Sequence, residues 1–274
     1  KSLTDTTPTP AEVIRKKVGV SAIGNAQVDT AQYKFGGSSA LFDGTTDYLD
    51  VAYSSDMAFG TGDFTMECWI RSTSLATVNG IFDTRPDNTI GSYIWLRVNT
   101  NGSVTYWANG DVITSSTSAI TTNTWYHIAV ARSSGSTKLF INGTQEGATY
   151  SDSTNYVIPA YRSLRIGENS FSAFPEEFTG NIDEVRVSDT ARYTTDFSPS
   201  GAPFVNDDNT LLLLHFNGTD ASTFFEDDNG VHQSFRTDSY SDYHNGRNAQ
   251  SPNCAGKSYN VLVLYSQALH RLCA

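Results

Sequence analysis

Phe64-Thr-Met-Glu-Cys-Trp-Ile-Arg71 alternates with period two: Phe64, Met66, Cys68 and Ile70 fall on one side, Thr65, Glu67, Trp69 and Arg71 on the other. Successive side chains of a β-strand point to opposite faces, so this run reads as a strand with one face in a core. Tyr93-Ile-Trp-Leu-Arg-Val98 repeats the pattern, with Ile94, Leu96 and Val98 opposed to Tyr93, Trp95 and Arg97. Ser103-Val-Thr-Tyr-Trp107 follows across Asn101-Gly102. Asn-Gly tolerates the positive φ angles of a tight hairpin. The two runs therefore pair, and Tyr93, Trp95, Arg97, Thr105 and Trp107 share a face. Asn109-Gly110 and Asn142-Gly143 mark further turns, the second after Trp125–Arg132 and Lys138–Ile141. Later strands are expected at Ser163–Ile166, Ile182–Val187 and Thr210–Phe216. Only Pro10–Lys17, behind Thr9 as a possible N-cap, and one turn at Thr190–Tyr193 suit a helix. Many short strands and few helices predict a β-sandwich or barrel.

Composition narrows the function classes. Lys and Arg number 18 against 29 Asp and Glu, a formal net charge of −11. Nucleic-acid binding and polybasic membrane attachment both rest on clustered Lys and Arg, so neither is expected. No apolar run approaches the roughly 18 residues that cross a bilayer; the best, Leu211–Leu214, is strand length, so no membrane insertion is expected. Three cysteines, Cys68, Cys254 and Cys273, make no disulfide framework and no zinc spacing. Cys68 reads as a buried thiol; whether Cys254 pairs with Cys273 stays open.

Three ordered motifs carry a resemblance. They are Lys34–Leu49, containing Phe42-Asp-Gly44; Phe64–Ile70 leading to Trp125–Arg132 and Leu139-Phe-Ile-Asn-Gly143; and Phe178-Thr-Gly-Asn-Ile-Asp-Glu-Val-Arg-Val187 with Ala191-Arg-Tyr193. Together they resemble the laminin-G-like branch of the concanavalin A-like lectin/glucanase superfamily, over roughly residues 18–216. The resemblance implies an all-β, two-sheet antiparallel jelly-roll sandwich. Family members often begin with a strand like Leu211–Phe216. Here it comes last, and it is expected to close the sandwich from the C-terminal side. The expected layout is an N-terminal arm at 1–14, the jelly roll at 15–217, and a C-terminal extension at 218–274. In that extension Tyr259–Tyr265 reads as a strand that adds to this sandwich or to a neighbouring subunit.

The chemistry expected is binding, not catalysis. Glycoside hydrolysis needs two carboxylates across a sugar site. The Glu-x-Asp-x-x-Glu strand of the glucanase branch is absent, and the adjacent Asp183 and Glu184 on one strand are expected to point to opposite faces. No Gly-x-Ser-x-Gly elbow occurs. His127 and His215 read as core histidines. A sugar site would draw on Tyr93, Trp95, Arg97 and Trp107, with packing as the alternative for the indoles. The resemblance implies calcium as the cofactor, held by Asp43, Asp47 and Asp183, because it brings the Phe-Asp-Gly turn near Ile182-Asp-Glu. The alternative is an Asx-turn at Asp43 and backbone hydrogen bonds at Asp183. Asn101-Gly-Ser, Asn142-Gly-Thr and Asn217-Gly-Thr read as turns rather than as glycosylation sites. Ala191-Arg-Tyr193, Asp196-Phe197 and Leu212–Phe216 resemble modules of phage tail fibres and other virion proteins and of secreted bacterial surface proteins, and the resemblance implies a non-enzymatic surface or virion module for glycan recognition or protein assembly, of phage adhesin or decoration type. The alternatives are a secreted bacterial adhesion or filament protein and, behind both, a glycosidase. Its expected partners are a glycan or neighbouring subunits in a homo-oligomer, on a virion or outside the cell.

Overall fold

The computed structural model describes residues 17–89, 91–171 and 176–228. The chain divides into two units, residues 1–232 and 233–274, and every described residue lies in the first. The expected Pro10–Lys17 helix (apart from Lys17), Cys254, Cys273 and the Tyr259–Tyr265 strand lie outside the described residues.

Two antiparallel sheets face each other. The first has seven strands in the order β1 (Val20–Ile23), β4 (Tyr48–Val51), β13 (Leu164–Ile166), β6 (Asn79–Asp83), β7 (Trp95–Val98), β8 (Val104–Trp107) and β9 (Asp111–Thr114). The second runs β12 (Thr144–Ser151), β11 (Ser136–Ile141), β10 (Tyr126–Ser133), β5 (Phe64–Ser72), β14 (Thr179–Ser188), β3 (Ser39–Asp43) and β2 (Gln27–Asp29). Its eighth strand, β15 (Thr210–Leu214), pairs with the far half of β14. This is the expected jelly-roll sandwich, closed by the late Leu-rich strand. Among the described residues the only helical turn is Ser55–Met57; Thr190–Tyr193 forms bends instead.

The period-two reading of β5 places its residues correctly. Phe64, Met66, Cys68 and Ile70 lie in the main core with Phe82, Leu96, Val98, Val104 and Tyr106 of the first sheet. The opposite side of β5 is buried as well. Residues 189–206 form a strap over the outer face of the second sheet. There Trp69 packs with Phe204 and Leu213, and Phe140 packs with Tyr193 and Phe197. The strap is tied down by backbone and side-chain bonds: Phe197 N donates to Gly143 O (2.9 Å), Gln145 N to Asp196 Oδ1 (2.9 Å) and Phe204 N to Glu184 Oε2 (2.7 Å). Gly143 sits at φ 81°, and a Cβ there would lie 1.9 Å from Phe197 O, so the crossing requires glycine.

Beneath the strap, Glu67 is fully buried and accepts from His127 Nε2 (3.0 Å), Tyr193 Oη (2.8 Å) and Arg186 Nε (2.8 Å). His127 is thus a core histidine, as its strand position implied. Residues 217–228 run back over the sandwich: Val28 N donates to Ser222 O, Phe225 joins the core, and Asp227 accepts from Val18 N and Leu213 N.

One expectation about β14 fails. Asp183 pairs across from Trp69, and Arg186 from Glu67, with a bulge between them. Glu184 sits in the bulge at φ 51°, and its carboxylate accepts from Phe204 N and the His215 ring on the strap side. Asp183 and Glu184 therefore both point outward, because the extra residue breaks the alternation.

Candidate functional site

The outer face of the seven-stranded sheet is built from the out-pointing residues of its strands. The β7–β8 hairpin forms as the Asn101-Gly102 signal implied, with Gly102 at φ 76°. Its register sets Trp95 across from Trp107 and Arg97 across from Thr105. The two indoles meet edge to face, with centroids 6.3 Å apart. Arg97 lies over Trp95, its Cζ 4.0 Å from the ring centroid. Its Nη2 donates to both oxygens of Asp111 (2.9 and 3.0 Å), and its Nε to Asn99 Oδ1 (2.9 Å). Three of the four expected sugar-site residues thus come together. The fourth, Tyr93, precedes β7, and no ring contact joins it to the pair among the described residues.

Arg85 completes the group and was not among the expected residues. Its guanidinium lies 5.1 Å from the Trp95 centroid, 4.8 Å from Trp107 and 5.9 Å from Phe171. Asp83 orients the chain here: Oδ1 accepts from Arg85 N (2.7 Å) and Oδ2 from Ser170 N (2.8 Å). Alternation could not have found Asp83 and Arg85: Ile81 faces the core, and the bulge between Gly80 and Phe82 shifts the faces of the residues that follow. Glu176, at the edge of the stack, accepts from Asn169 Nδ2 (3.0 Å). Burial raises its pKa, against the lowering charges of Arg97 and Arg85. Gly80 lets the loop that carries Glu176 close on β6: Gly80 N donates to Glu176 O (3.0 Å), and a Cβ would stand 2.6 Å from that oxygen.

Trp95 is only 9% exposed, so it serves as a wall rather than an open platform; Trp107 is half-buried. Among the described residues four buried donors of the group have no hydrogen-bond acceptor: Arg85 Nε, Arg85 Nη2, Trp95 Nε1 and Arg97 Nη1. Asp83 Oδ2 stands 3.8 Å from Arg85 Nε. Further along the same face Arg165 lies over Tyr48 (4.2 Å) and pairs with Asp50, Asp87 and Glu168. Burial pushes the Glu168 carboxyl up to about 7. Across the molecule, a shallow groove beside the strap is lined by Ser133, Ser136, Lys138, Thr149 and Tyr193, and there Lys138 is tied to Thr194 O.

The three aspartates expected to hold calcium do not converge. Asp43 and Asp47 are together: Asp47 Oδ2 accepts from Asp43 N (2.8 Å), and Asp43 Oδ1 accepts from Thr45 N in an Asx-turn. The register sets Asp43 across from Thr179, four residues along β14 from Asp183. Asp183 spends its carboxylate on Lys34 N (2.7 Å), Phe35 N (3.0 Å) and Glu184 N (2.8 Å). Among the described residues no three His, Cys, Asp or Glu gather as a metal site. These donors do not fit the ion that the resemblance implies, and the backbone-bonding alternative describes them.

Residues 43–197 match a laminin G family model described as the concanavalin A-like lectin/glucanases superfamily. That is more than half of the chain, and the chain belongs to this family. A search among curated proteins finds no match. Among solved structures, a candidate carbohydrate-binding protein from Bacteroides ovatus is 18% identical, with a TM-score of 0.52 over 78% of this chain and 57% of its own. This chain thus spans just over half of that protein's length. Domain 4 of AbnA, an extracellular arabinanase of Geobacillus stearothermophilus in complex with arabinotriose, is 18% identical over 64% of this chain and 82% of its own (TM-score 0.44). The CBM40 of a Ruminococcus gnavus sialidase, bound to α2,3-sialyllactose, is 16% identical over 53% and 88% (TM-score 0.41).

Proposed function

We propose that this domain recognises a glycan, without cleaving it, at the Arg85–Trp95–Arg97–Trp107 face. The observation that carries the reading is the set of four buried donors on one surface with no acceptor. A buried polar group left unpaired costs about 1–3 kcal/mol. A surface that leaves four such groups together is suited to completion by acceptor oxygens from outside, and sugar hydroxyls supply them beside an indole face. Ligand entry turns the half-buried Trp107 ring outward, since the Arg85 guanidinium lies beneath it. Two guanidiniums here stand against three carboxylates, Asp83, Asp111 and Glu176, so no net positive charge draws an acidic sugar. An uncharged glycan fits best.

Binding rather than hydrolysis is favoured by the carboxylates on the strands flanking the stack. Asp83 is committed to two backbone amides, and Asp111 to Arg97. The surface setting, virion or cell exterior, rests on the resemblance of Ala191-Arg-Tyr193 and Leu211–Phe216 to modules of that kind. A glycan array with and without EDTA tests the reading. Binding to uncharged glycans that Arg85→Met abolishes supports it. An array without signal, or signal that Arg85→Met leaves intact, overturns it.

A further inference from the structure

We infer that Arg132 is a built-in cation, its guanidinium filling an oxygen cage between two loops so that the fold needs no calcium. Arg132 lies on β10, and its side chain is fully buried. Its Nε donates to Gly62 O (2.7 Å), and its Nη2 donates to Gly60 O (2.8 Å) and also to Gly62 O. Its Nη1 donates to Thr154 O (2.8 Å) and stands 3.8 Å from Asp152 Oδ1. Three main-chain carbonyls and one carboxylate thus converge on one positive group.

That donor set is the chemistry of a hard cation, which takes carboxylate and carbonyl oxygens from irregular loops. The aspartates at 43, 47 and 183 gather no such set, whereas this place does. The two loops are held together independently of Arg132. Gly60 N donates to Tyr156 O (2.9 Å) and Tyr156 N to Gly60 O (2.8 Å), so the carbonyls face one another whatever fills the gap. A void there would leave the Gly62 and Thr154 carbonyls without the donor they now have, while Gly60 O would keep only Tyr156 N. The rings of Phe64 and Tyr156, 5.2 and 4.9 Å from the guanidinium carbon, close the cage with faces that also favour positive charge.

The cage also joins the sheets. Asp152 Oδ2 accepts from Thr137 Oγ1 (2.7 Å) on β11 and from Tyr156 Oη (2.9 Å). Tyr156 Oη in turn meets Tyr106 Oη of β8, in the other sheet, at 2.6 Å. One fixed charge therefore organises two loops and a polar link across the core, where a bound ion would otherwise have to be recruited.

Thermal melting of the full chain tests this. The wild type is expected to melt at the same temperature in millimolar calcium and in EDTA. Arg132→Ala is expected to melt roughly 10 °C lower, the size set by leaving the buried Asp152 carboxylate without its counter-charge and two buried carbonyls without their donor. Millimolar methylguanidinium or calcium should restore part of that loss, and methylurea, of similar shape but neutral, should not. Arg132→Lys should keep more stability than Arg132→Met; that pair decides the matter if the alanine variant does not fold. Calcium stabilisation of the wild type, equal rescue by methylurea, or a lysine variant no better than methionine would each overturn the inference.

Discussion

The two sheets bury their inner faces in the same way and differ in what lies on their outer faces. On the eight-stranded sheet, the strap at 189–206 covers Trp69, Ala129, Ala131 and Phe140, and every oxygen of the buried Glu67 is engaged. On the seven-stranded sheet, Trp95, Trp107, Arg85 and Arg97 form a group of comparable chemistry, aromatic rings around charge, yet four of its donors lack acceptors among the described residues. On the proposed reading, the difference separates stability from recognition. Where the chain supplies its own cover, the Glu67 carboxylate is fully engaged, although Trp69 Nε1 and His127 Nδ1 there lack a partner among the described residues. Where it does not, charged donors are left for something else to satisfy. Charge and aromatic rings alone do not distinguish the faces; unmet hydrogen bonds of charged guanidinium groups do.

That contrast can be broken most forcefully on the covered face. Glu67→Ala would strand Arg186 and His127 without their carboxylate. The expected loss is about 3–5 kcal/mol, read as a denaturant midpoint shift, with glycan binding of the folded fraction unchanged. A stable Glu67→Ala variant would mean that the strap, not the charge cluster, holds that face. Next comes Arg85→Met on the other face, where the order should reverse. Glycan affinity should fall at least about tenfold, while stability changes by less than about 1 kcal/mol, because the arginine's donors are unpaired before binding.

A pH titration sharpens the comparison. The Glu184 carboxylate, 2.8 Å away, raises the pKa of His215. A raised folded-state pKa means the protonated imidazole stabilises the fold below its ordinary value near 6.5, and this stability is lost as pH rises through the folded pKa. Melting temperature should therefore decline modestly as pH rises above about 6.5, and His215→Phe should remove that decline; an unchanged slope in the variant would show that the pair does not couple to folding. The smallest effect is expected from Asp111→Asn. Asp111 is 51% exposed in its pair with Arg97, so stability should shift by under about 1 kcal/mol.

Much of this architecture is legible in the residues because alternation and Asn-Gly turns are local signals. The Tyr93–Trp107 region reads as a hairpin from its own sequence, and that reading brings Trp95, Arg97 and Trp107 onto one face. Arg85 escapes because β6 pairs with β7 across a connection, residues 84–94, that carries no tight-turn signature, and because β6 itself is bulged. Phe171 comes from a loop whose position no periodicity encodes. Asp183 and Glu184 mislead for a related reason: a non-glycine residue at positive φ inserts a bulge that alternation cannot foresee. The calcium set fails on register. Phe42-Asp-Gly does pair with β14, but at Thr179 and Gly180, four and three residues from Asp183. The cage around Arg132 was equally hidden, since its oxygens belong to the main chain and carry no residue signature.

The most direct measurement is the calorimetric titration of the wild type and of Arg85→Met with the uncharged oligosaccharide that gives the strongest array signal. The account predicts saturable binding by the wild type, equal in calcium and in EDTA, and at least about tenfold weaker binding by the folded variant. Equal affinity of the two proteins would contradict it, and the unpaired donors of the seven-stranded face would then have no part in recognition.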